Sequence, residues 1–293
     1  VKIEHVTKKM EQTIVLENVN FSLEKGELVG LIGRNGSGKT TLFRTIAGHY
    51  LLDDGEISID NQRLDQHPQL KEQLFYIDEK ENFLSAYSLK KLNQFYRLAY
   101  PNFDQNLYLE LMQSHGLPLT LSYRRMSKGM QGLYKMILAI ASNATFLLLD
   151  EPFDGLDVIV RKKVIGLLLE SLSESNRTAL IASHNLNELE HIIDRALLIK
   201  GKTIEGDYRL ETIREQSRKL QLVFRSKQIP PLIKQHSKLI QKQGRVLTAL
   251  FDNYTEELAA EIQQLDPLVF EELPLTLEDL FEANLRQEAL VEG

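Results

Sequence analysis

Apolar and polar residues alternate along Lys2-Ile3-Glu4-His5-Val6, and in part along residues 15–23, as strands with one buried face require. Glu24-Lys25-Gly26-Glu27 reads as a turn, and Leu28-Val29-Gly30-Leu31-Ile32 as a buried strand. A helical pattern then runs from 39 to about 47. Asp53-Asp54-Gly55 turns the chain into a strand at 56–60. From 80 to 145 the pattern is mostly helical: Leu89, Leu92, Phe95, Tyr96 and Ala99 share one face, Pro101 breaks the run, and 106–114 and 131–141 follow. Residues 146–149 read as strand, 158–172 as amphipathic helix, Thr178–Ala182 as strand and 186–193 as helix. Strands alternating with helices predict an α/β fold on a parallel sheet.

A second unit begins near 210. Strand is expected at 219–224, 238–242, 245–251 and 268–271, and helix at Pro231–His236, 254–265 and 276–286. Thr276 followed by Asp279 has the spacing of a capping box, with Asp in place of Glu or Gln. The order βαββαβ with a closing helix is the ferredoxin-like arrangement.

Composition narrows the function classes. At 293 residues the chain suits about two domains of roughly 100–200 residues each. Hydrophobic residues at 43% and charged residues at 26% allow a real core and exclude disorder as the main state. There is no cysteine, which excludes disulfide scaffolds, cysteine-based zinc or iron–sulfur sites and a cysteine nucleophile. The net charge of −6 argues against a nucleic-acid partner bound mainly by electrostatics. The longest apolar runs, 136–141 and 144–149, fall far short of the roughly 20 residues a spanning helix needs. The first residues lack the apolar stretch of a signal peptide, so any membrane role is expected to run through a partner.

The chemistry concentrates in a few motifs. Gly33-Arg34-Asn35-Gly36-Ser37-Gly38-Lys39-Thr40 is G-x-x-x-x-G-K-[ST], and it sits where that loop should, between a strand and a helix. The glycines let backbone N–H groups face phosphates, and the helix start adds partial positive charge. Lys39 is expected to reach the β- and γ-phosphates and Thr40 to ligate Mg²⁺. The strand at 146–149 ends in Asp150-Glu151, at the sheet edge where nucleotide binds. Many strands end in an acid, but beside a phosphate loop this pair is expected to work: Asp150 would hold Mg²⁺ and Glu151 would polarise the attacking water. Ser127 precedes a helix and, with the N–H groups behind it, offers either an ordinary cap or a second anion site. Ser183-His184 follows the strand Thr178–Ala182.

In this order, the phosphate loop, Ser127-Lys128-Gly129-Met130, Asp150-Glu151, Gly155-Leu156-Asp157 and Ser183-His184 resemble the ATP-binding cassette (ABC) family. The resemblance covers about residues 1–210, with a helical subdomain at about 80–145. It leaves 211–293 as a C-terminal α+β domain. It implies a P-loop NTPase fold that binds ATP through Gly33 to Thr41, with Ser127 and Gly129 in the signature motif. It makes Asp157 the D-loop aspartate and His184 the switch histidine on the γ-phosphate. It also implies a second ATPase subunit, in a homo- or heterodimer that sandwiches ATP head to tail. A transmembrane permease subunit would hold the chain on the cytoplasmic, inner face of the cell membrane. The Ser-Lys-Gly-Met version is similar to bacterial subunits that export drugs, antimicrobial peptides and envelope components, the group of the ytrB-type and phenol-soluble-modulin exporter ATPases.

Three positions depart from the family pattern. Met10 stands about where an aromatic ring stacks on adenine, and a thioether offers only a polarisable contact. Lys128 replaces the first signature glycine. Glu79 replaces the usual glutamine of the Q-loop and is still expected to ligate Mg²⁺. In the second unit, residues 216–251 carry eight Lys/Arg and no acid, whereas 252–293 carry twelve Asp/Glu and one Arg. Mutual neutralisation across one small domain is the plainer expectation; a basic face for an anionic partner is the sharper one.

Export is weighed against two alternatives. One is an importer ATPase with a ligand-sensing C-terminal domain. The other is a soluble non-transport member of the family. Lys39 and Asp150 lie 111 residues apart with no long heptad region between them, which excludes the coiled-coil repair type. Only one cassette is present, unlike the translation type.

Overall fold

The computed structural model describes residues 1–78 and 83–286. The strands are β1 (Lys2–Met10), β2 (Thr13–Ser22), β3 (Leu28–Ile32), β4 (Asp54–Ile59), β5 (Gln62–Arg63), β6 (Leu74–Ile77), β7 (Phe146–Asp150), β8 (Thr178–Ala182), β9 (Arg195–Lys200), β10 (Thr203–Arg209), β11 (Arg218–Val223), β12 (Lys238–Gln243), β13 (Val246–Phe251) and β14 (Val269–Leu273). The helices are α1 (Lys39–Ile46), α2 (Leu89–Ala99), α3 (Gln105–Ser114), α4 (Lys128–Ala141), α5 (Val158–Ser175), α6 (Leu186–Leu189), α7 (Leu210–Gln216), α8 (Pro231–His236), α9 (Glu256–Gln264) and α10 (Leu277–Arg286).

The contacts divide the chain into two units. The first comprises Val1–His184 and Ile192–Asp207; the second comprises Asn185–His191 and the chain from Tyr208 onward.

Two sheets build the first unit. One is antiparallel in the order β2-β1-β4-β5. Its approach of β4 to β1 requires Gly55, at φ +87°, because a Cβ there would lie 2.4 Å from the His5 carbonyl oxygen. The other sheet runs β10-β9-β3-β8-β7-β6, with β9, β3, β8, β7 and β6 parallel. Strands β3, β7 and β8 are buried at every position, as near-continuous apolar runs in a covered parallel sheet should be. Both sheets share one core, which includes Ile3, Leu16, Leu31, Phe43, Leu148 and Leu197. Helices α2, α3 and α4 fall between β6 and β7 and start at the caps Ser88, Asp104 and Ser127, each of which accepts from backbone N–H groups of the first turn.

The second unit carries the sheet order β12-β13-β11-β14, every pair antiparallel. With α8 and α9 between the strands this is the ferredoxin-like order, around a core of Leu220, Leu222, Ile233, Phe251 and Ile262. The Thr276–Asp279 capping box forms: Asp279 N–H donates to Thr276 Oγ1 at 3.2 Å, and Thr276 N–H donates to Asp279 Oδ2 at 2.9 Å. The basic stretch pairs with the acidic one through Arg218–Glu272 (3.1 Å), Lys219–Asp279 (2.7 Å), Arg225–Asp266 (3.2 Å) and Lys238–Asp252 (2.6 Å).

The helix expected at 186–193 is a correction: α6 ends at Leu189. Glu190 is committed elsewhere, its carbonyl accepting from Arg214 Nη2 at 3.1 Å and its carboxylate from the Leu277 N–H at 3.2 Å. Among the described residues no helix is long and apolar enough to cross a membrane.

Candidate functional site

The parallel sheet places its chemistry at the carboxyl ends of β3, β7 and β8, where open α/β sheets bind ligands. The loop 33–40 leaves β3 and curls into α1. Gly36 and Gly38 take φ +81° and +104°, the left-handed region that a side chain disfavours. Gly38 caps α1 without a side-chain acceptor, so the first N–H groups of the helix remain available to an anion. The Ser37 hydroxyl oxygen is buried without a hydrogen-bond partner. A buried hydroxyl left unpaired costs free energy unless something accepts from it. A phosphate oxygen at this loop fits that need.

Lys39 is folded over the same loop and is 7% exposed. Its Nζ donates to the carbonyls of Gly33 at 2.8 Å and Arg34 at 3.2 Å. Burial lowers its pKa, while Glu151 and then Asp150 act to raise it. Lys39 therefore shares one electrostatic site with the two acids that end β7. Thr40 and Thr41 follow it in the first turn of α1.

Asp150 is 1% exposed. Its Oδ2 lies 3.5 Å from the Tyr76 hydroxyl at the end of β6. Burial, then the charges of Asp150 and Asp78, push the Tyr76 pKa up, so the phenol stays protonated. Glu151 adopts φ +49° and donates its N–H to the Ala182 carbonyl of β8 at 2.9 Å. A non-glycine residue held there is strained, and the strain aims its side chain out of the sheet. Glu151 Oε2 meets His184 twice, through Nδ1 at 2.9 Å and through the backbone N–H at 3.3 Å. The structure thus brings Lys39, Asp150, Glu151 and His184 together. One oxygen of Glu151, Oε2, is held by His184.

The remaining expected residues lie on other elements. Ser127 caps α4, its Oγ accepting from Met130 N–H at 3.2 Å, which leaves the hydroxyl proton free to donate. Gly129 sits against α5, where an added Cβ would come within 3.3 Å of Val160. Asp157 caps α5 through Ile159 and Val160 N–H at 2.9 and 3.0 Å. The stem of Lys128 lies across Gly155, so the loop before Asp157 and the start of α4 are neighbours. A polar cavity of about 210 Å³ opens between them, lined by Lys128, Gln131, Lys135, Glu151 and Asp154 among others. Met10 ends β1 and is 38% exposed. Glu79 lies outside the described residues.

Sequence reasoning passed over Arg44 and Lys135 and read Tyr76 and Asp78 only as the Q-loop residues before Glu79; Tyr76 lies 3.5 Å from Asp150, and Arg44 and Lys135 both donate to Asp78. The apolar run Leu74-Phe75-Tyr76-Ile77 ending in Asp78 repeats the pattern of β7 ending in Asp150, and was the available signal.

Comparison with known proteins gives a consistent picture. The model of the family described as ABC transporter matches residues 16–154. The chain is 31% identical to the ABC transporter ATP-binding protein YtrB of Bacillus subtilis, over 97% of each chain. It is 30% identical to the aliphatic sulfonates import ATP-binding protein SsuB of Bacillus cereus, over 69% of this chain and 82% of that one. Among solved structures, an ATP-binding subunit of an ABC transporter superimposes with a TM-score of 0.66 at 26% identity, over 73% of this chain and 91% of the other.

Proposed function

This chain belongs to the ATP-binding cassette family as an ATP-binding subunit of an ABC transporter, and we propose that it hydrolyses ATP to power export through separate transmembrane subunits. The observation that carries the hydrolytic part is Glu151. It is held at a left-handed backbone angle with one carboxylate oxygen fixed by His184, beside a loop whose Ser37 hydroxyl and helix N–H groups lack acceptors.

In this reading the N–H groups of residues 33–40 and the start of α1 take the β- and γ-phosphate oxygens. Lys39 turns from the Gly33 and Arg34 carbonyls toward them. Thr40 and Asp150, with Glu79, hold Mg²⁺, which supplies charge neutralisation on the phosphates when bound. Glu151 accepts the proton of the attacking water as its oxygen bonds to the γ-phosphorus and the bond to the ADP oxygen breaks. His184 keeps Glu151 aimed and faces the departing phosphate. Met10 lies under the base. Ser127, Gly129 and Asp157 act on the ATP of a second ATPase subunit, the hydroxyl of Ser127 donating to the γ-phosphate.

Two features support a membrane partner and the direction. On the helical segment, Phe83, Tyr87, Lys91, Leu92 and Phe95 line an apolar groove of about 380 Å³, with Phe83 51% and Phe95 50% exposed. Exposed aromatic rings of this kind are what a partner helix packs against, and the partner we assign is a cytoplasmic helix of the permease. That partner would hold the chain at the inner face of the membrane. Export rests on the Ser127-Lys128-Gly129-Met130 version of the signature; the likeness to YtrB, which extends through the C-terminal unit, supports an ABC transporter subunit of either direction. Import is the second reading, favoured by the likeness to the sulfonate import subunit. Inside-out membrane vesicles carrying the native complex separate the two. ATP-driven accumulation of cationic drugs or amphipathic peptides, lost in Lys39→Met, supports export. ATP-driven release of preloaded solute supports import.

A further inference from the structure

A partly buried cluster joins three elements near Asp150. Arg44 comes from α1, Tyr76 and Asp78 from the end of β6, and Lys135 from α4. Asp78 is 8% exposed. Its Oδ2 accepts from Arg44 Nε at 3.0 Å and from Arg44 Nη2 at 2.9 Å. Its backbone carbonyl accepts from Lys135 Nζ at 3.0 Å. Arg44 Nη1 donates onward to the Tyr50 hydroxyl at 2.9 Å. The Tyr76 ring is clamped edge-on by Phe43, with centroids 6.2 Å apart, and by His49 at 5.4 Å. Its hydroxyl is hydrogen-bonded within the cluster to Asp78 and Arg44 and lies 3.5 Å from Asp150 Oδ2.

Burying a carboxylate is costly unless it is paired and hydrogen-bonded, and Asp78 is both. Packing alone would be served as well by an apolar residue at that position. What the charge adds is direction. It pins the end of β6 to the phosphate-loop helix through Arg44, while Lys135 pins the same residue to α4. Tyr76, two residues earlier on the strand, carries that fixed position to Asp150.

We propose that Tyr76 and Asp78 are positioning residues for Asp150: Asp78 locks the end of β6 between α1 and α4, and the Tyr76 hydroxyl on that strand orients the metal-holding carboxylate. This rests on the reading of Asp150 as the Mg²⁺ carboxylate. Mg²⁺ tolerates little departure from octahedral geometry, so a carboxylate free to tilt holds it less well. Partners behind a metal ligand set its orientation in this way.

The test is nucleotide binding by the full chain, read by fluorescence of a labelled ATP with no metal and then across free Mg²⁺. Tyr76→Phe removes only the hydroxyl and keeps the ring against Phe43 and His49. It is expected to need about tenfold more free Mg²⁺ for half of the metal-induced tightening, the low end for the loss of an outer partner. Its metal-free affinity should stay within about twofold of the parent, since the phosphates are held elsewhere. Asp78→Asn, which keeps the size and one acceptor, should shift the Mg²⁺ curve in the same direction. Superimposable Mg²⁺ curves for Tyr76→Phe and a parent that does respond to Mg²⁺ overturn the positioning role alone. Equal weakening with and without metal also overturns it, as a mere packing defect. A parent whose binding ignores Mg²⁺ removes the metal reading of Asp150, and this inference with it.

Discussion

The two units treat their polar groups in opposite ways. In the C-terminal unit charges pair with one another: among the described residues Arg218, Lys219, Arg225 and Lys238 each meet an acid of the acidic stretch, and Asp279 serves both Lys219 and the start of α10. In the nucleotide unit the groups that matter are left open or strained. Ser37 Oγ is buried without a partner, Gly38 caps α1 with no acceptor, and Glu151 is held at φ +49°. A polar group that is fully paired contributes to stability, and one left open at a cost marks where a ligand completes the structure. Stability and nucleotide affinity should therefore respond to different residues.

Asp279→Ala gives the largest expected effect on stability. It strips Lys219 of its partner and removes the carboxylate half of the capping box at the start of α10, and is expected to lower stability by about 2 kcal/mol. Urea unfolding measures that loss, and ATP affinity should be unchanged. Ser37→Ala should do the reverse. Removing a buried hydroxyl with no partner leaves the urea midpoint in place or raises it, while ATP binding weakens by about 1 kcal/mol, roughly fivefold, for one lost hydrogen bond. Calorimetric titration with a non-hydrolysed ATP analogue checks it, and a loss of stability equal to the loss of affinity would collapse the contrast. The smallest effect is expected at Arg225→Ala. Arg225 and Asp266 form an exposed pair, 77% and 81% accessible, worth less than about 0.5 kcal/mol. A larger change in the urea midpoint would mean that the outer pairs of the C-terminal unit carry more than charge balance.

Local signals explain which parts of this fold were legible. Helix α8 (Pro231–His236) is announced by a proline at its first position, and β3 by an apolar run ending where the phosphate loop begins. The ferredoxin-like order is readable because each of its strands is bounded by a turn or a cap. Strands β6 and β9 escape because a run of four or five apolar residues suits a buried helix as well. Strand β9 also opens on Arg195, a charge that reads as surface but is 6% exposed. Arg195 is buried because Glu27 and Asp207 pair with it at 3.1 and 2.6 Å, and Glu27 lies 168 residues away along the chain. Helix α6 is shorter than its periodicity suggests because Glu190 bonds to Arg214 and Leu277, which no local pattern reveals. For the site, motif spacing supplies the phosphate loop, Asp150 and Glu151. The cluster of Arg44, Tyr76, Asp78 and Lys135 exists only once β6, α1 and α4 meet.

Hydrolysis by Glu151→Gln tests the central claim most directly. The amide keeps the shape and can still accept from His184, but it cannot take a proton from water. Purified variant and parent are compared for ATP binding and for single-turnover release of phosphate. The variant is expected to bind ATP within about threefold of the parent and to release phosphate at least about 10²-fold more slowly, the low end for the loss of a general base. Phosphate release at the parental rate would contradict the assignment of catalysis to Glu151.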